Sequence, residues 1–188
     1  VTLVDLLARY AYQQRPAGIT LASGQAATEY VDCRAALGDP QMLHEISRDV
    51  CGKMELRWTD AIGGLAAGAI PIAVAVSMRT RAWWHPVRSF SVRGKRKVHG
   101  TCHMIEGAVN PGDTVCLVED VVSTGESVLA AVLACQDYGL RVVRVLALVD
   151  REQGGLERIR DVVGPDAPVS ALCTLGEIRA CVQRGDHG

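Results

Sequence analysis

A chain of 188 residues, 48% apolar and 22% charged, is long and apolar enough to bury a core without disulfides or a structural metal. That balance excludes disordered and collagen-like chains. A net charge of −1, from 20 basic and 21 acidic residues, excludes a surface built as a whole to bind nucleic acid or membrane.

In chain order, Leu3, Leu6, Leu7, Tyr10 and Ala11 recur at helical spacing and predict a first helix ending before Pro16. Short extended pieces are expected at 20–22 and 30–34. Asp39 as N-cap and Pro40 at the first helical position open a second helix that runs to about Lys53. The Gly63-Gly64 turn precedes a helix around 71–78. The stretch 61–78 is 18 residues without a charge, the lower limit for a membrane span. Its glycines and Pro71 suit a buried loop and helix instead, and no span is assigned. Residues 114–118 (TVCLV) form a continuous β-branched run, as expected of a strand covered on both faces. Helix 126–138, stopped by Gly139, strand 142–149, helix 155–163, strand 169–173 and helix 175–182 complete the order. Strands alternating with helices predict an α/β fold with a mainly parallel sheet flanked by helices.

Seven cysteines (33, 51, 102, 116, 135, 173 and 181) are odd in number and form no CxxC pair. Most lie in apolar runs, where Cys behaves as a small hydrophobe, and with no secretory leader expected they point to a reduced, cytoplasmic setting. His99, Cys102 and His103 offer three metal ligands at best, too few for a structural zinc site.

Charge is unevenly placed. From Ala61 to Ile105 there is no Asp or Glu, while Arg79, Arg81, Arg88, Arg93, Lys95, Arg96 and Lys97 supply positive charge. An isolated basic run is most simply a solvated loop. Here Arg93-Gly94-Lys95-Arg96-Lys97-Val98-His99-Gly100 packs five cationic or protonatable side chains into seven residues with no carboxylate neighbour, which suits an anion. Its flanking glycines suit a lid.

The strongest local signal follows the 114–118 strand: Val118-Glu119-Asp120-Val121-Val122-Ser123-Thr124-Gly125-Glu126-Ser127. In parallel sheets ligands sit beyond the carboxyl ends of the strands. Residues 123–127 bring backbone N–H groups and hydroxyls to the positive end of the next helix, a seat for phosphate, and Gly125 allows close approach. Glu126 is a first-turn acid that favours the helix. Adjacent positions on a strand put Glu119 and Asp120 on opposite faces, unlike a glycosidase pair. Two acceptors before a phosphate loop instead match the hydroxyls of a ribose 5-phosphate. The plainer reading is a pair of helix-capping loop acids. The P-loop, dinucleotide and hydrolase-elbow motifs are absent.

The segment VCLVEDVVSTGES resembles the ribose-phosphate signature of type I phosphoribosyltransferases. The spacing of Arg93, Lys97, His99 and Gly100 resembles the lid of the orotate phosphoribosyltransferase family. Further pieces match in order: Thr20 to Gly24, Tyr30-Val31-Asp32-Cys33-Arg34, Gly63-Gly64 with Pro71-Ile72-Ala73, Glu106-Gly107 with Pro111-Gly112-Asp113, and Asp150-Arg151-Glu152-Gln153-Gly154-Gly155.

The resemblance implies a type I phosphoribosyltransferase fold for 1–188, with a small N-terminal hood (about 1–35) and a flexible lid (about 93–104). It implies transfer of ribose 5-phosphate from phosphoribosyl pyrophosphate to orotate, giving orotidine 5′-monophosphate and pyrophosphate in pyrimidine synthesis. The donor would be bound by Gly63, Gly64, Glu119, Asp120, Val121, Val122, Ser123, Thr124, Gly125, Glu126 and Ser127. Arg93, Lys97 and His99 would bind donor as well, and catalyse. Orotate would meet Ser123, Arg151, Tyr30 and Val31. Magnesium would ride on the donor and on water, with no direct protein ligand. A cytoplasmic homodimer sharing its lids is implied, with no nucleic-acid or membrane partner. Relatives often carry lysine where this chain has Ala22, Gly68 and Gly94. Two alternatives stay open: a transferase for another base, and a donor-sensing RNA- or DNA-binding regulator of the same fold.

Overall fold

A computed structural model describes residues 2–20, 26–54, 56–94 and 104–185. The first helix, α1 (Leu3–Tyr10), is opened by a Thr2/Asp5 capping box. Strands β1 (Tyr12–Thr20) and β2 (Ala26–Val31) form an antiparallel pair, the hood. Tyr12 donates its hydroxyl to Glu29 at 2.8 Å, and Glu29 pairs with Arg179 near the chain's end, which ties the hood to the body.

The extended piece expected at 30–34 ends early. Cys33 and Arg34 belong to α2 (Cys33–Leu37), because Cys33, Ala36 and Leu37 bury a helical face. Helix α3 (Pro40–Lys53) begins as the sequence indicates: the Asp39 carboxylate accepts from the N–H groups of Gln41 and Met42, both at 2.9 Å.

A six-stranded sheet follows, in the order β5-β4-β3-β6-β7-β8. Its strands are β3 (Ala61–Gly63), β4 (Arg88–Val92), β5 (Ile105–Gly107), β6 (Thr114–Val122), β7 (Arg141–Asp150) and β8 (Val169–Thr174). All neighbours are parallel except the edge strand β5, which runs antiparallel to β4. Helix α4 (Ala69–Thr80) crosses from β3 to β4, α5 (Glu126–Tyr138) from β6 to β7, and α6 (Gly155–Val163) from β7 to β8. Helix α7 (Leu175–Arg184) is opened by a Thr174/Glu177 capping box.

Strand β6 runs through the middle. Cys116 and Val118 face a core shared with α1, α3, α4 and α7, whereas Val115 and Leu117 face a second core under α5 and α6. Such two-sided burial explains the unbroken apolar run of the strand. Because α4 covers one face and α5 the other, adjacent β3 and β6 send their chains to opposite sides. The sheet therefore has a switch point between them, and a crevice opens beyond their carboxyl ends.

No described helix is long and apolar enough to cross a membrane. The described cysteines form no disulfide among themselves, and burial pushes the Cys116 thiol up to about 11 and those of Cys135 and Cys173 to about 12. Cys102, His99 and His103 lie outside the described residues; among those described, no cluster of metal-ligating side chains forms.

Candidate active site

The crevice at the switch point is a cleft of about 620 Å³, within the size range of small-ligand sites. One wall is the carboxyl end of β6 and its loop, Glu119 to Val128. The facing wall is the loop after β3, Leu65 to Gly68. Tyr30, Val31 and Arg34 of the hood and Arg151 after β7 complete it.

The chain from Ser123 to Gly125 turns sharply into α5. Gly125 is the N-cap, with φ +81°, a conformation that a β-carbon resists. No side chain caps the helix, so its first N–H groups face the cleft mouth without an intrahelical acceptor. They supply partial positive charge where a phosphate would sit.

Glu119 and Asp120 both line the cleft, which corrects the expectation of opposite faces. The strict alternation of β6 ends at Val118: Val121 packs on the first core and Val122 on the second, so the strand's last turn of pleat brings the two acids together. Glu119 is 5% exposed. Burial, then the hydrogen bond and charge of Asp120, push its carboxyl up to about 9. The shift favours the protonated form of Glu119, which can donate to a hydroxyl oxygen. Asp120 is more open, and its Oδ1 accepts from the Val121 N–H at 2.9 Å.

The raised Glu119 value bears on stability. The folded state binds this proton more tightly than the unfolded chain, whose Glu titrates near ~4.3. The contribution is complete below that value and is lost as pH rises toward about 9. Glu119→Gln removes the loss. Calorimetry from about pH 5 to about pH 9 is expected to show the variant's melting temperature overtaking that of wild type on the alkaline side, by ~2–4 °C for each kcal/mol recovered. Parallel curves would show that Glu119 is not held neutral.

Several expected site residues are placed differently. Gly63 and Gly64 do not line the cleft; Leu65 to Gly68 do. The two glycines instead let β3 fit its neighbours, since a β-carbon on Gly63 falls 2.5 Å from the Phe90 carbonyl oxygen and one on Gly64 falls 2.2 Å from that of Val118. Arg93 is not a lining residue either. It follows β4 with its Nη1 on Glu106 Oε1 at 2.8 Å and its N–H on the Met104 carbonyl, where the expected lid begins. Lys97 and His99 lie outside the described residues. Tyr30, Val31, Arg151 and the whole run from Glu119 to Ser127 are brought to one cleft.

Sequence reasoning misses Arg34 as a site residue. It stands four residues after Tyr30 and donates from Nη2 to the tyrosine hydroxyl at 3.2 Å. The available signal is its place in the matching segment Tyr30-Val31-Asp32-Cys33-Arg34. Gly68 packs against Asp120: a β-carbon there would lie 2.6 Å from the Asp120 carboxyl carbon.

No family model matches the chain. It is 40% identical over 158 residues to the orotate phosphoribosyltransferase of Aquifex aeolicus, covering 84% of this chain and 85% of the relative. It is 37% identical to the Nocardioides enzyme of the same name over 88% of each chain. Among solved structures, orotate phosphoribosyltransferase from Aeropyrum pernix superposes with a TM-score of 0.80 over 100% of both chains at 27% identity. The Mycobacterium tuberculosis enzyme in complex with 5-phospho-α-D-ribosyl 1-diphosphate superposes at 0.73, with 31% identity over 94% of this chain and 96% of the other.

Proposed function

The chain belongs to the orotate phosphoribosyltransferase family, and from that membership we propose how its cleft transfers ribose 5-phosphate from phosphoribosyl pyrophosphate to orotate, yielding orotidine 5′-monophosphate and pyrophosphate. The observation that carries the proposal is the β6–α5 turn. A buried strand ends in two carboxyls and then in a hydroxyl-rich turn whose glycine cap leaves helix N–H groups open.

In this reading the 5-phosphate lies on the N–H groups and hydroxyls from Ser123 to Ser127. Glu119 donates to one ribose hydroxyl, and Asp120 accepts from its neighbour. Backbone of the loop from Leu65 to Gly68 faces the diphosphate. Arg151 meets the orotate carboxylate, for which a guanidinium fork is the matching donor. Tyr30 and Val31 flank the ring, and Ser123 lies between donor and acceptor.

Orotate is already anionic and needs little activation. The barrier lies in cationic charge on the ribosyl carbon and negative charge on the departing diphosphate, and fixed cations lower the second. Lys97, His99 and Arg93 serve there from the lid, whose closing also keeps water from hydrolysing the donor.

Magnesium fits this donor set as a passenger of the substrate. Asp120 offers hard oxygen at the cleft, while protonated Glu119 beside it makes a poor second ligand. When bound, the ion would offset diphosphate charge, and Asp120 is placed to hold its water.

We assign the lid to the cleft of a second subunit in a homodimer. Arg93 pairs at the lid's foot and is absent from the lining of its own cleft. Ile70, Val74 and Met78 form an exposed apolar stripe on α4, followed by exposed Trp83 and Trp84, the kind of patch that a partner covers. Sedimentation is expected to give twice 20.1 kDa; a monomer would refute the shared lid. The buried free thiols suit a reducing, cytoplasmic setting.

The direct test follows the free acceptor base after donor and magnesium are added to the pure protein, by absorbance for orotate and by chromatography for other bases. A fall with orotate, and none with adenine, hypoxanthine or uracil, supports the assignment. A fall with another base alone would move it to that base, and salt-sensitive RNA binding without turnover would make the protein a regulator.

A further inference from the structure

The β6–α5 turn does not stand alone. A β-carbon built on Gly155, the first residue of α6, would fall 2.4 Å from the Ser123 carbonyl oxygen, 2.6 Å from Val122 Cγ1 and 2.9 Å from the Gly125 nitrogen. A β-carbon on Gly125 would in turn fall 2.9 Å from the Gly155 carbonyl oxygen and 3.1 Å from Ile159 Cγ1. The two glycines interlock, and neither position has room for a side chain.

Backbone bonds extend the contact. The Arg151 N–H donates to the Val122 carbonyl at 2.9 Å. Arg158, one turn into α6, reaches the Thr124 carbonyl at 3.4 Å and Glu126 at 3.8 Å, setting a cation beside the one acid in the turn. On the other side, Asp150 Oδ1 accepts from the Glu152 N–H at 2.9 Å, and Glu152 Oε2 accepts from Gly176 N–H at 2.9 Å. The loop carrying Arg151, which leads directly into α6, is thus fixed to the end of β6 and to the amino end of α7.

We infer that Gly155 is a positioning residue: its bare α-carbon seats the amino end of α6 beneath the turn Ser123 to Gly125, so that the phosphate seat and the Arg151 loop form one rigid body with a set spacing. The inference rests on the reading of Ser123 to Ser127 as the phosphate seat. It adds what holds that seat, and it links donor binding to the residue that faces the acceptor. Close packing gives the contact two arrangements, seated or displaced, with little compliance between them. An added methyl at Gly155 lifts the turn by a fraction of an ångström to an ångström. Misplacement by ~1 Å is enough to cost about a hundredfold in rate.

The test compares wild type, Gly155→Ala and Gly164→Ala. Gly164 lies at the other end of α6 with φ +81° and nothing within 4 Å of where a β-carbon would sit, so its variant strains backbone without touching the turn. Binding of ribose 5-phosphate is measured by calorimetry, turnover with orotate and donor is measured separately, and melting curves set the temperature at which all three proteins are folded. Gly155→Ala is expected to lose about ten- to a hundredfold in ribose 5-phosphate affinity, the scale of lost charge-assisted hydrogen bonds, while Gly164→Ala stays within about twofold of wild type, as expected for a distant, independent site. Equal affinity in all three, or equal losses in both variants, would overturn the inference.

If wild type binds ribose 5-phosphate but leaves orotate untouched, the acceptor reading fails, and the Gly155→Ala affinity still decides the seat. Should Gly155→Ala not fold, hydrogen exchange on wild type decides. Ribose 5-phosphate is expected to slow exchange at 123–127 and at 151–155 together, and protection confined to 123–127 would overturn the coupling.

Discussion

Lys97→Ala is expected to lower turnover by about 10²–10³, the usual cost of removing one preorganised charge from a developing anion. Donor affinity is expected to change far less. The lid cations gain most when the diphosphate departs and its charge grows, so the loss belongs to kcat more than to KM. Lys97 is one of three lysines in the chain, and it sits in a stretch with no acid from Ala61 to Ile105. Its charge has no carboxylate nearby in the sequence. Stopped-flow and steady-state kinetics at saturating donor check the prediction. Unchanged turnover would take the catalytic role away from the lid.

Arg151→Ala is expected to raise the KM for orotate by about ten- to a hundredfold, the worth of a charged hydrogen-bonding partner, and to leave the KM for donor within about threefold. Arg151 lines the cleft, and its backbone is held by Val122 while its turn is pinned by Asp150 and Glu152. Truncation therefore removes the guanidinium without releasing the loop, which makes the effect specific to the acceptor. Arg151→Lys is expected to recover only part of the loss, because an ammonium cannot form the planar fork. Equal increases in both KM values would assign Arg151 to the donor instead.

The elements legible in the sequence share one property: their signal is local. Helix α3 announces itself through Asp39-Pro40, α5 through Gly139 at its end, and β6 and β7 through apolar runs that burial on both faces demands. Strands β3 and β5, of three residues each, are too short to show a period. Strand β4 (Arg88–Val92) alternates polar and apolar residues inside a basic stretch and exists because β3 lies beside it.

The site follows the same division. Glu119 to Ser127 can be read because strand, acids, turn and helix are contiguous. The turn expected at Gly63-Gly64-Leu65 meets the cleft wall at Leu65, and the wall runs on to Gly68, while Gly63 and Gly64 pack β3 closely against Phe90 and Val118. The opposite faces expected for Glu119 and Asp120 follow from ideal pleating, which β6 abandons after Val118. The seat beneath Gly125 belongs to Gly155, far along the chain, and only tertiary packing brings the two together.

The most direct test of the account is a crystal structure of the protein with phosphoribosyl pyrophosphate bound. The 5-phosphate is expected within hydrogen-bonding reach of the backbone N–H groups from Ser123 to Ser127, with the ribose hydroxyls on Glu119 and Asp120. A donor whose phosphorus atoms all lie away from Gly125 would contradict it.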